Sequence, residues 1–162
     1  MAKKIVLETR SEPTFFTFVG ISCHLIDYRF IYELNKQLDF NFVKEKDFPG
    51  LSTNSDKGSS FSFYHYYDED QRLAYFLLSN RGLDGLLFPG LKESDFILVI
   101  EGVFRNPKKE TFLASLRQVP KILMAYEIKH TSLKNTESFL MDIELHVLQV
   151  NKVLKRENQT AF

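Results

Sequence analysis

Phe61-Ser62-Phe63-Tyr64-His65-Tyr66-Tyr67, followed by Asp68-Glu69-Asp70-Gln71 and by residues 72–79 (RLAYFLLS), is the stretch whose reading decides the fold. Aromatic side chains recurring at every second position mark a strand. The acidic tetrad is a polar turn, and 72–79 returns as the next strand. The two therefore form an antiparallel hairpin. On the C-terminal side, residues 96–104 (FILVIEGVF) run almost unbroken through apolar types, which predicts a central strand covered on both faces. On the N-terminal side, residues 4–9, 15–22 and 40–46 read as short strands, and 121–128 alternates into a last one. Loops are expected over 48–60 and 80–94, from their Gly, Ser, Asn and Pro content.

Helical spacing takes over between these strands. Over 24–38, Leu25, Tyr28, Ile31, Tyr32, Leu34 and Leu38 recur at three- and four-residue steps, with Ser22 or His24 as the expected cap. Asn106-Pro107 starts a second helix, whose stripe is Phe112, Leu113, Leu116 and Val119, and Pro120 stops it. Residues 132–157 form a third. The reading is one α+β domain over 1–162: a mostly antiparallel sheet of about seven strands with two or three packed helices, the last C-terminal. A ferredoxin-like core is the alternative architecture, because strand-helix-strand units occur twice.

Composition narrows the function classes. The chain has 162 residues, 44% of them apolar, with 21 basic and 21 acidic side chains. A chain without basic excess is a poor nucleic-acid binder, so no nucleic-acid partner is expected. No apolar run approaches the ~18 residues that a membrane span needs, so no membrane partner is expected either. Nothing at the N-terminus reads as a signal peptide, and a cytoplasmic location is expected. The single Cys23 makes neither an internal disulfide nor a cysteine-based zinc site.

Candidate chemistry is sparse. Asn35 lies among the apolar residues of the first helix, and an unpaired buried amide would cost roughly 1–3 kcal/mol, so it is expected to be buried and hydrogen-bonded to the protein. Cys23-His24 invites a nucleophile reading, but neighbours at a helix entry rarely point at one another. His65 shares its strand face with Phe61, Phe63 and Tyr67, and reads as a core or rim histidine. His130 and His146 fall in a loop and a helix without metal-ligand spacing, so no metal and no cofactor are expected. Asp68-Glu69-Asp70 reads as a solvated turn, and Lys108-Lys109 as an exposed face. If the chain holds a ligand, the candidate pocket gathers Arg29, Asn35, His65 and Asp95 with the loop from Pro89. Catalytic residues cannot be assigned.

The loop into the central strand carries a resemblance. Leu87-Phe88-Pro89-Gly90-Leu91-Lys92-Glu93-Ser94-Asp95-Phe96 resembles the signature of the bacterial IPExxxVDY family. Pro89 and Asp95 match it, and Phe88 and Phe96 are close replacements. Gly90 stands where the family has Glu, and Ser94 where it has Val, so no carboxylate role at position 90 carries over. Asp27-Tyr28-Arg29 with Leu34-Asn35-Lys36 is similar to the family's first helix, and residues 119–127 to its last strand. The resemblance implies a small cytoplasmic protein of Bacteroidota-like bacteria. It brings no catalytic residue, because that family has no established function.

The C-terminal helix adds a last candidate. Leu140, Ile143, Val147, Val150 and Leu154 alternate by three and four residues, a heptad seam of two repeats. Such a seam either packs on its own sheet or forms a subunit interface. Leu145, Leu148 and Val153 widen it enough for both contacts together. The function expected from the sequence is a non-catalytic binding or protein-interaction domain, with a homodimer through residues 132–157 as the candidate assembly. The alternative is a small-molecule-binding or enzymatic domain with the pocket above.

Overall fold

Two-residue alternation sorts the apolar side chains of the strands onto two opposite faces, and both faces are covered by helices. The computed structural model describes residues 15–51, 58–83, 85–105, 108–129, 133 and 136–160, with 152–160 by their backbone alone. The order is β1 (Phe16–Cys23), α1 (Asp27–Leu38), β2 (Val43–Leu51), β3 (Gly58–Asp68), β4 (Leu73–Ser79), β5 (Arg81–Gly82), β6 (Gly85–Leu86), β7 (Phe96–Glu101), α2 (Lys109–Arg117), β8 (Ile122–Ile128) and α3 (Thr136–Thr160). The strand expected over 4–9, His130 and the side chain of Leu154 lie outside the described residues, and the second helix starts at Lys109 with Lys108 as its cap, not at Asn106-Pro107.

The main sheet has six strands in the order β2-β3-β4-β7-β1-β8, and every neighbouring pair is antiparallel. The α+β class, the antiparallel sheet and the C-terminal helix are thus as expected. The hairpin is there too, with Tyr64 opposite Leu77 and Tyr66 opposite Tyr75. β7 is central, between β4 and β1, and Ile97, Val99 and Ile100 are fully buried. β1 and β2 run parallel, joined by α1, while β7 and β8 run parallel with β1 between them, joined by α2. This is the connectivity of a ferredoxin-like core with the β3–β4 hairpin inserted between β2 and β7, so the alternative architecture describes the topology more closely than a plain meander.

One face carries Val19, Ile21, Tyr64, Leu77 and Leu98, covered by Phe30, Ile31 and Leu34 of α1 and by Phe112, Leu113 and Leu116 of α2. The Phe30 ring sits 4.5 Å from Phe96 and is fully buried. Removing such a ring typically costs about 3–5 kcal/mol. The other face carries Phe18, Phe63, Phe76, Ile97 and Val99, covered by Phe139 and Ile143 of α3. His146 of α3 is buried edge-on against Phe48 and Phe63, and its Nε2 bonds the Lys46 carbonyl at 2.7 Å. A register irregularity between Glu45 and Phe48 in β2 brackets that carbonyl.

Four other local expectations need correction. The first helix starts at Asp27, not His24, and neither Ser22 nor His24 caps it: Ile26 is the cap and makes no side-chain bond. Ser22 stays in β1, where its hydroxyl donates to the Glu93 carbonyl. The helix also faces differently. Phe30, Ile31 and Leu34 are buried, whereas Tyr28 and Tyr32 are each 62% exposed. Phe30 sets the phase, because only the positions aligned with it can reach the sheet. Finally, the expected loops are shorter: Phe48 to Leu51 and Gly58 to Ser60 extend β2 and β3, and Arg81 to Leu86 includes the small β5–β6 hairpin. Pro49 is tolerated because β2 is an edge strand, where one side needs no N–H donor.

Candidate functional site

Three chain segments meet where β1 and β4 end and β7 begins, and α1 starts beside them. They line a half-open cleft of about 540 Å³, with Cys23, His24, Asp27, Ser79, Arg81 and Asp95 among its polar walls. Asp95 and Phe96, the last two residues of the loop stretch 87–96, line it. That loop is fastened by Asn80, which is fully buried. The Asn80 Nδ2 donates to the carbonyls of Leu91 and Ser94, both at 2.9 Å, and its Oδ1 accepts from the Phe88 N–H at 2.7 Å. Asp95 ties the same loop to its neighbours. One carboxylate oxygen accepts from Arg81 Nε at 2.6 Å, the other from the Cys23 N–H at 2.9 Å. Arg81 also donates to the Lys92 carbonyl.

Ser94 stands where a branched apolar residue would fill space. It is fully buried, and its hydroxyl pairs with the Tyr126 hydroxyl at 2.7 Å. Gly20 makes room for that pair, since a Cβ there would lie 2.6 Å from Ser94 Oγ and 2.8 Å from Tyr126 Cζ. Position 90 is open: a Cβ on Gly90 meets nothing within 4 Å. The loop's polar groups thus hold the loop itself.

The chemistry of the cleft walls points the same way. Cys23 is buried, and burial raises its thiol pKa, which keeps it protonated. His24 beside it is exposed. For Asp27, burial alone would raise the carboxyl; hydrogen bonds from Ser62, Tyr64 and the Tyr28 N–H, with Lys44 nearby, outweigh it and hold the group below its usual range. Among the described residues, every buried side-chain nitrogen or oxygen has a hydrogen-bond partner. No three His, Cys, Asp or Glu side chains among them are grouped to hold a metal ion. The arrangement offers no activated nucleophile with a base in reach.

A second, somewhat more enclosed cleft of about 650 Å³ shares Leu25 with the first. Its walls are Leu25, Tyr28, Arg29, Tyr32, Glu33 and Lys121. Tyr28 and Tyr32 lie one turn apart on the outer flank of α1, and Ile26 at the helix entry is 58% exposed. Lys36 places its ammonium 5.9 Å from the Tyr32 ring centroid. Lys121, in the turn between α2 and β8, has a φ of 74°, a left-handed conformation that side chains other than glycine rarely adopt.

The pocket residues expected from sequence do not converge. Asp95 lines the first cleft and Arg29 the second. Asn35 is half-buried rather than buried, because it lies to one side of the stripe set by Phe30 and Leu34. Its amide pairs with both backbone groups of Phe42, at 2.9 and 3.3 Å, and so joins α1 to the approach to β2. His65 lies on the opposite, α3-covered face, because strand alternation puts it with Phe63. It stacks on Phe76 at 5.0 Å, and burial lowers its pKa. Leu140, Ile143 and Val147 of the helix seam turn toward the protein's own sheet, and Val150 is half-buried. Met141, Leu145 and Leu148 point outward, each more than half exposed. The acidic turn is solvated, with Asp68 accepting from the Gln71 N–H, and Lys109 pairs with Glu127.

Sequence reasoning missed Asn80 and the second cleft. Asn80 sits at the end of a strand, as many turn asparagines do, and nothing local says that its amide is enclosed. The tyrosines were visible, but the helix phase assigned them to the core. No protein-family model matches the chain, and comparison with curated proteins finds no match. Among the described residues, no helix is long and apolar enough to cross a membrane.

Proposed function

We propose that this chain is a non-catalytic protein-interaction domain, working through the outer flank of α1. One observation carries the reading: Tyr28 and Tyr32 stand exposed one helical turn apart along a cleft that also presents Arg29. Tyrosine and arginine are among the residues over-represented where protein interfaces concentrate their energy. The satisfied polar groups of the sheet-end cleft support the non-catalytic part. A cytoplasmic setting in a Bacteroidota-like bacterium belongs to the same proposal, through the IPExxxVDY resemblance, and the loop-fastening role of Asp95 supports reading that signature as architectural.

Photo-crosslinking tests the interaction. Benzoylphenylalanine placed at Tyr28 or Tyr32, in cells, is expected to give a discrete adduct with one protein. The same probe at Tyr67, exposed on β3, is expected to give none. Diffuse labelling alike at all three positions would overturn the reading.

A homodimer is the second reading, favoured by the outward row Met141, Leu145 and Leu148 on α3. Light scattering on the wild type and on Leu145→Glu separates the cases. A dimer reduced to a folded monomer supports it, and a wild-type monomer at high concentration removes it.

A further inference from the structure

We infer that the α1 cleft takes an acidic peptide segment with an apolar anchor, a partner chemistry that rests on the interaction reading above. The apolar walls come from Leu25, Tyr28 and Tyr32, the two tyrosines one helical turn apart. The charge comes from Arg29 and Lys121 on the rim, against Glu33 as the one carboxylate of the lining. Neither cation enters an ion pair among the described residues, so both charges are open to a ligand. Lys36 adds a third positive charge beside Tyr32. The chain as a whole is neutral, so this is a local excess placed around exposed aromatics, and it complements a segment carrying carboxylates. A basic segment would meet like charge on the rim.

Lys121 is one of three described residues other than glycine with a left-handed backbone, with Asp39 and Arg72. Its φ of 74° puts a long side chain where glycine is the unstrained choice. A turn selected for stability alone would carry glycine or asparagine there. Lys121 lines the cleft from that turn, and strain of this kind is common near ligand sites.

The test uses the full chain and two synthetic peptides of about ten residues. Both carry Leu and Phe anchors. One has Asp and Glu between them, the other Asn and Gln. In amide-resolved NMR titration the acidic peptide is expected to shift the signals of Leu25, Tyr28, Tyr32 and Lys121, with a Kd below about 100 µM in low salt. The neutral peptide is expected to bind roughly tenfold more weakly, and salt is expected to narrow the difference. Lys121→Gly is expected to keep or raise the thermal midpoint while weakening the acidic peptide several-fold. A purely structural Lys121 would move stability and leave binding alone. Equal affinity for the two peptides, shifts confined to another surface, or no binding of either overturns the inference. If adducts at Tyr28 and Tyr32 nevertheless form in cells, the interaction reading stands and only the acidic chemistry falls. If both fail, both are wrong.

Discussion

Replacing Asn80 by alanine isolates what holds the loop before β7. The side chain is fully buried and makes three bonds of 2.7–2.9 Å to backbone groups of Phe88, Leu91 and Ser94. Alanine removes both donors and the acceptor. Ser94 is itself buried, so its carbonyl loses its amide partner in a place water reaches poorly, whereas the Leu91 carbonyl keeps the Ser94 N–H at 3.1 Å. Each stranded group costs about 1–3 kcal/mol. The Phe88 N–H lies in a half-buried residue, where local opening can hydrate it. One stranded carbonyl at the middle of that range gives a loss of about 2 kcal/mol for Asn80→Ala. Asn80→Asp discriminates further. It keeps the acceptor for Phe88 but turns an anionic oxygen toward two carbonyls, so near pH 7 it should be less stable than the alanine variant. Protonation at low pH restores one donor and should close that gap. Arg81→Ala is the control: its side chain is 53% exposed in the pair with Asp95, and the expected loss stays below about 1 kcal/mol. Urea denaturation followed by circular dichroism measures all three. An Asn80→Ala loss within about 0.5 kcal/mol of wild type, or an aspartate variant as stable as wild type at neutral pH, would refute the reasoning.

Gly20→Ala should cost about 1–3 kcal/mol, because its methyl collides with both members of the Ser94–Tyr126 pair; adding Ser94→Ala should recover part of the loss in the same denaturation assay. Glu101 has its carboxyl pKa raised above the ordinary 4.5, by burial and then by repulsion from Glu144. The folded state therefore holds that proton more tightly than the unfolded chain, and wild-type stability falls as pH rises from 4.5 through the raised value. Glu101→Gln should add a few tenths of a kcal/mol at neutral pH and nothing below that window, as thermal melts across pH would show. Cys23 should resist iodoacetamide in the native protein by about 100-fold relative to denatured chain, read by mass spectrometry; fast native labelling would contradict a buried, protonated thiol. Gly90→Glu should be neutral within about 0.5 kcal/mol, since its Cβ meets open space.

The sequence by itself determined the elements whose periodicity is strong. The alternation from Phe61 to Tyr67, the polar turn and the return to Ser79 specify an antiparallel hairpin without outside help. The unbroken run from Phe96 to Ile100 can be satisfied only by cover on both faces, and β7 lies at the centre of the sheet. What the tertiary structure decided was which side of each element faces which neighbour. In α1, Tyr28 and Phe30 are similar side chains about 200° apart around the helix, so composition does not choose which flank meets the sheet; contact with Phe96 chooses Phe30 and leaves the tyrosines outside. Asn35 and His65 looked like pocket partners because both are polar residues in apolar company. The sheet separates them, since His65 must follow Phe63 to the α3 face. Asn80 read as an ordinary turn residue, and its role exists only because the loop from Leu87 to Asp95 folds back over it, bringing three backbone groups to one amide. The α3 seam was legible as apolar, but its occupant was not: the protein's own sheet takes Phe139 and Ile143. Local pattern states how much surface an element must bury, and only packing states against what.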